Sequence, residues 1–350
     1  MILSDKPKDI CVLRLSAIGD VCHAVAVVQA VQSHYPESKI TWVIGKVEAA
    51  LLKGLPGVSF VVFDKSQGKL AYQKIKREFQ NTTFDVLLHM QVALRANLVA
   101  RCIPAKVKIG FDWQRAKEGH SLFVNKRIEK KSEAHVIEGF MGFAHAIGVP
   151  SFKPSWHMPV TDADKAFAQQ QLDGMGKVLV IAPAASGAER NWLASRYVEV
   201  AEYAHNQGFS VVLTGGPTQL ERDLAAEIMT LANFPIVDLV AKTSLKQLLC
   251  LLEQASLVIA PDTGPAHMAV CMGTPVIGLY AHSNPARTGP YLYQDYVVEV
   301  YHHNLEQQYG RSSQQLPWGR RNKGGELMKQ ITTESVIRMF DTVVREQKLV

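Results

Sequence analysis

At 350 residues, 47% hydrophobic and 20% charged, the chain exceeds one ordinary core and suits two domains, with a globular enzyme as the expectation. No run is apolar for long enough to cross a membrane as a helix, and the first nine residues mix acids with bases, unlike a secretion signal, so a cytoplasmic location is expected. Five scattered cysteines without metal-ligand spacing read as buried thiols in a reducing compartment, and a net charge of +6 points to an anionic partner.

In chain order, Ile10-Cys-Val-Leu-Arg-Leu15 is a short apolar run that ends at Ser16-Ala-Ile-Gly-Asp20, after which apolar residues recur at helical spacing to about Ser33. That is strand, turn, helix. Residues 39–44, 58–63 and 85–89 read as further strands with helical segments between, which implies a parallel sheet covered by helices on both faces. Residues 106–131 hold eight Lys or Arg against three acids, with Arg95 and Arg101 just upstream. Three prolines and no period mark 148–159 as the linker.

The strand pattern restarts at Lys177-Val-Leu-Val-Ile-Ala-Pro183. It continues through a helix at 194–206 and strands at 210–214, 236–238, 257–260 and 275–279. Both halves therefore read as doubly wound α/β domains: 1–155, 156–332, and a terminal helical segment, 333–350, for which a return to the N-terminal domain is one arrangement. A second basic cluster, Arg311, Arg320, Arg321, Lys323 and Lys329, has Glu326 as its only acid. Two such domains facing a central cleft would bring the loops at the C-terminal ends of both sheets to one ligand.

Those loops carry the chemistry. Asp262-Thr-Gly-Pro-Ala-His267 ends a buried strand and enters a helix, where backbone N–H groups suit a diphosphate; equally, Asp262 and Thr263 are fit to cap the helix while Gly264 makes the turn. In the loop after residue 183, Ser186 and Arg190 are suited to phosphate oxygens. Glu221, after Thr214-Gly-Gly-Pro, is suited to ribose hydroxyls. In the first domain Asp20 sits in the first turn of a helix, where a carboxylate gains roughly 0.3–1 kcal/mol, and it reads either as a base or as a capping acid. The turn lacks the three-glycine dinucleotide fingerprint, and no P-loop occurs. Asp162 and Asp164 resemble first-turn acids more than a metal pair. Nucleic-acid binding has no motif behind it.

Taken together, Leu15-Ser-Ala-Ile-Gly-Asp20, the 186–192 loop and Asp262-Thr-Gly-Pro-Ala-His267 resemble the family 9 glycosyltransferases, the lipopolysaccharide heptosyltransferases, over nearly the whole chain. Ile109-Gly-Phe-Asp-Trp-Gln-Arg-Ala-Lys-Glu118 is similar to the type that adds the first heptose. The resemblance implies the GT-B arrangement of two Rossmann-like domains, an ADP-heptose donor and a Kdo acceptor on the lipid A precursor. It also implies inverting transfer with no cofactor or metal, at the inner face of the inner membrane. It casts Asp20 as the base, and Ser186, Glu221, Asp262, Thr263, Gly264 and His267 as donor-binding. Arg190 stands where that type has lysine. Acceptor anions would meet Arg95, Arg115 and Lys117. The alternatives are a second-heptose or other GT-B transferase and, in a different class, a non-catalytic binder of nucleotides or anionic lipids.

Overall fold

The computed structural model describes residues 2, 3, 5–131 and 135–349; Met1 and Ser4 of the N-terminal stretch and Val350 of the terminal segment lie outside them. The chain divides into two compact units, Met1–Pro159 and Val160–Val350. In the first, β1 (Asp9–Leu13), β2 (Lys39–Gly45), β3 (Val58–Phe63), β4 (Phe84–His89), β5 (Ala105–Gly110) and β6 (Lys126–Arg127) form one parallel sheet in the order β3-β2-β1-β4-β5-β6. In the second, β7 (Lys177–Ile181), β8 (Phe209–Leu213), β9 (Ile236–Asp238), β10 (Leu257–Pro261), β11 (Val276–Tyr280) and β12 (Val297–Glu299) run β12-β11-β10-β7-β8-β9. Counted from its own first strand, each sheet has the order 3-2-1-4-5-6. Both are Rossmann-like doubly wound sheets, as expected.

The central strands are buried because helices cover both faces, which is why β10 and β11 are apolar without alternation. The outer strands differ. β5 alternates lysines with Val107 and Ile109, and β6 and β12 are only two and three residues long, so none of the three shows the apolar run that marks the others. In the second unit's core Trp192, Tyr197, Phe209 and Phe340 are at most 2% exposed, and burying one such side chain stabilises by about 1.5–3 kcal/mol. Phe340 lies on the terminal helix Thr333–Glu346 and stands edge-on to Phe209, their ring centres 5.1 Å apart. The terminal helix is thus part of the second unit's core.

Four of the five cysteines are buried, Cys102 partly so, and all are free thiols. The proline-rich segment is fastened to the first unit: Trp156 Nε1 donates to Cys22 O at 2.8 Å, and Gln29 exchanges two hydrogen bonds with the His157 backbone. Asp164 Oδ2 accepts from the Thr161 amide and hydroxyl, closing a capping box at the start of the helix Asp162–Gln171.

Candidate functional site

In a 3-2-1-4-5-6 sheet the strand order reverses between the first and fourth strands, and the loops leaving those two strands part to opposite faces and open a crevice. In the second unit these are the loops after β7 and β10. The β10 loop carries Asp262 and Thr263 into the helix Gly264–Met272. Thr263 occupies the N-cap position but makes no side-chain cap; its hydroxyl turns instead toward Ala184 O, 3.4 Å away. The capping alternative for this turn is therefore not what the side chains do. The helix start keeps its partial positive charge without a side-chain oxygen over it, which is the requirement for holding an anion.

Asp262 is the hub of the turn. Its side chain is 13% exposed. Oδ2 accepts from Ser283 Oγ at 2.6 Å, Arg190 Nη1 stands 3.8 Å away, and His267 Nε2 lies 3.8 Å from Oδ1. Burial works against the charge, but His267, Ser283 and Arg190 outweigh it and hold the carboxyl below the usual range. An ionised carboxylate facing these partners organises the turn. Arg190 crosses from the β7 loop and donates through Nη1 to Asp262 O at 2.7 Å and through Nη2 to Ser186 Oγ at 2.9 Å. The indole beside it is interior: Trp192 is 2% exposed, and its Nε1 donates to Ile331 O at 3.0 Å.

Glu221 begins the helix Gln219–Leu231 and reaches back over the β8 loop. It accepts from Gly216 N at 2.6 Å, Thr218 Oγ1 at 2.6 Å and Thr218 N at 3.2 Å. A carboxylate has about four lone-pair sites, so one remains for a ligand hydroxyl.

The first unit repeats this construction. Arg14 directly follows β1 with a side chain 11% exposed, donates through Nη1 to Met90 O in the β4 loop at 2.6 Å, and pairs through Nη2 with Asp20 Oδ2. Burial pulls the Arg14 pKa down, opposed by Asp20 and the buried Glu48. Asp20 stands in the first turn of the helix Ile18–His34, and Ala17 N donates to the same Oδ2 at 3.4 Å, so Oδ1 makes no hydrogen bond among the described residues. The acid thus caps with one oxygen and presents the other. Arg14 went unnoticed in the sequence, although a lone cation closing an otherwise apolar strand was a signal.

Arg115 is already engaged, with Nε 3.1 Å from Asp112 Oδ2 and Nη2 donating to Lys131 O at 2.7 Å; it shapes the loop after β5. Arg95 and Lys117 are exposed and without hydrogen-bond or ion-pair partners among the described residues. They flank one contact, in which Leu94 N donates to Glu118 Oε2 at 2.5 Å. Beneath them His89 and His120 share Asn97 Oδ1, at 2.9 and 3.0 Å. Among the described residues no cluster of three or more His, Cys, Asp or Glu is arranged to hold a metal ion, and no helix is long and apolar enough to cross a membrane.

Residues 72–318 match the model of glycosyltransferase family 9 (heptosyltransferase). The lipopolysaccharide core heptosyltransferase OpsX of Haemophilus influenzae is 44% identical over 96% of this chain and 97% of its own length. Among solved structures, a family 9 glycosyl transferase from Veillonella parvula superposes with a TM-score of 0.79 at 21% identity, covering 97% of both chains. The E. coli heptosyltransferase WaaC with ADP superposes with a TM-score of 0.72 at 20% identity, over 96% of this chain and 99% of its own, and supports the shared fold.

Proposed function

The chain belongs to glycosyltransferase family 9, the heptosyltransferases, and from that premise we propose that it moves a heptose from ADP-heptose to a Kdo residue of Kdo-lipid A, the first heptose of the lipopolysaccharide inner core. The observation that carries the donor half is the helix start at Gly264, free of a side-chain cap and bordered by an arginine that bridges two loops. The similarity to OpsX supports core heptosyl transfer. The resemblance of residues 109–118 to the first-heptose type supports the choice of Kdo.

In this reading Asp20 Oδ1 takes the proton of the Kdo hydroxyl as that oxygen attacks the anomeric carbon on the face opposite ADP. One displacement inverts the centre, and a positioned base of this kind contributes about 10²–10⁴-fold. Arg14 is a positioning residue that fixes Oδ2. Charge growing on the departing diphosphate meets Arg190, Ser186 and the helix start at Gly264, electrostatic stabilisation worth about 10²–10³-fold per donor group. Asp262 and His267 keep that turn in place with Thr263, and Glu221 offers its remaining lone pair to the ribose. Arg95 and Lys117 meet the acceptor's anions, and Arg115 holds the loop that presents Lys117.

Purified protein should be incubated with ADP-heptose and either Kdo-lipid A or the same acceptor already carrying one heptose. The first should gain the mass of one heptose and the second should not. Gain on the second alone would make this a second-heptose enzyme; ADP binding without transfer to either would make it a binder.

A further inference from the structure

Beside the Asp262 turn lies a pocket of about 340 Å³ whose walls were not expected from the β7 and β10 loops alone. Arg190 and Ser283 form the side shared with that turn, and the far side is a strap, residues 320–325, from the C-terminal basic cluster. The strap's backbone is fastened at each residue from Arg320 to Lys323. Tyr301 Oη donates to Arg320 O at 2.9 Å and Tyr309 Oη to Arg321 O at 3.3 Å, while Gln308 bonds both the amide and the carbonyl of Lys323, at 2.9 and 2.7 Å. Asn322 is buried; its amide donates to Ala281 O at 2.9 Å and Tyr301 O at 2.8 Å, and its backbone N–H to His282 O at 3.0 Å.

The side chains on either side of Asn322 are treated differently. Arg321 and Lys323 are exposed, both line the pocket, and neither side chain has a partner among the described residues. A rigid backbone that carries two unpaired cations into a concavity already holding Arg190, against one acid, Glu189, is a preorganised anion site. A second observation agrees. Arg190 Nε and His282 Nε2 are buried at this pocket's wall without a hydrogen-bond partner in the structure, and orphaned buried polar atoms point to a missing ligand. His282 Nδ1 donates to Asn322 O at 3.3 Å, which leaves Nε2 as the ring nitrogen at the pocket wall.

We infer that the 320–325 strap is a phosphate-binding subsite, with Arg321 and Lys323 as its ligands and His282 Nε2 as a further polar contact at its wall. Resting on the proposed function, the phosphate is the donor's diphosphate, because the pocket shares Arg190 with the Asp262 turn; a phosphate of the acceptor has the same chemistry.

The test is the R321Q/K323Q double variant, whose exposed positions leave the fold intact, with R321K/K323R as the charge-keeping control. Titration with ADP should show about a tenfold weaker Kd for the first and near wild-type affinity for the second. A rise in the KM for Kdo-lipid A, with ADP affinity unchanged, would assign the subsite to the acceptor. ADP affinity and acceptor KM both within twofold of wild type would overturn it. The ADP titration needs no turnover, so a protein that transfers no heptose yet binds ADP through the strap would end the proposed function and leave this inference standing.

Discussion

Arg190 Nη1 donates to the backbone oxygen of Asp262 at 2.7 Å, joining the loops that leave β7 and β10 where the strand order reverses. Arg14 does the same in the first unit, tying the β1 loop to Met90 O after β4. Each sheet places one arginine across its switch point, and each arginine also holds a second side chain: Ser186 in one case, Asp20 in the other.

Arg190→Ala removes both bridging bonds and the charge proposed to face the diphosphate. kcat/KM for heptose transfer should fall by about 10²–10³-fold. Arg190→Lys keeps the charge without the planar fork and should recover only part of the loss. Steady-state kinetics on the three proteins reads this; an alanine variant near wild type would remove Arg190 from the donor site.

Arg14→Met fills the same space without fixing Asp20. kcat should fall by at least about tenfold while the Kd for ADP is unchanged, because Arg14 acts through Asp20 in the unit that carries the acid. An equal loss in ADP affinity would mean that the substitution disturbs the fold instead.

Asp262→Asn leaves Arg190 and His267 beside a neutral group. Breaking a buried charge pair from one side costs about 3–5 kcal/mol, and this pair is partly relieved by Ser283, so the melting temperature should drop by several degrees. The sign with pH is set by the lowered pKa: the stabilisation is full above the unfolded value of 3.8 and is lost as pH falls through the folded value below it. Melts at pH 7 and pH 3 should therefore differ less for the variant than for wild type.

Much of this was legible in the sequence because buried parallel strands are continuous apolar runs; the runs at 177–183 and 257–260 announced β7 and β10 with the loops after them. β5, whose lysines alternate with Val107 and Ile109, and β6 and β12, only two and three residues long, have no such signature and went unread. The loops' residue types suggested Asp262, Arg190 and Asp20. What a side chain bonds to is a matter of three dimensions: nothing in the sequence told Arg115, tied to Asp112, from Lys117, whose side chain has no partner among the described residues, and nothing joined Asn322 to Ala281 and His282 in the loop after β11, some forty residues away.

The His89–Asn97–His120 group predicts acid sensitivity in the first unit. Phe111 N donates to His120 Nε2 at 3.1 Å, so His120 Nδ1 must be the protonated nitrogen, and it shares Asn97 Oδ1 with His89 Nε2. Burial, joined by repulsion from His120, holds His89 down to about 3; burial, joined by Arg127, holds His120 down to about 4. Both groups bind protons more readily when unfolded, so their stabilisation is complete above about pH 6.5 and is lost as pH falls toward those values, by up to about 1.4 kcal/mol per pH unit for each histidine. Denaturant unfolding between pH 7 and pH 4 should show this slope in wild type and a shallower one in His89→Leu. Equal slopes would contradict it.

The central claim is that Asp20 is the base. Asp20→Asn keeps the shape and the hydrogen bond to Arg14 through its oxygen but cannot take a proton. Heptose transfer from ADP-heptose to Kdo-lipid A should fall by about 10²–10⁴-fold in kcat, with the Kd for ADP within twofold of wild type. Transfer at the wild-type rate would contradict the account.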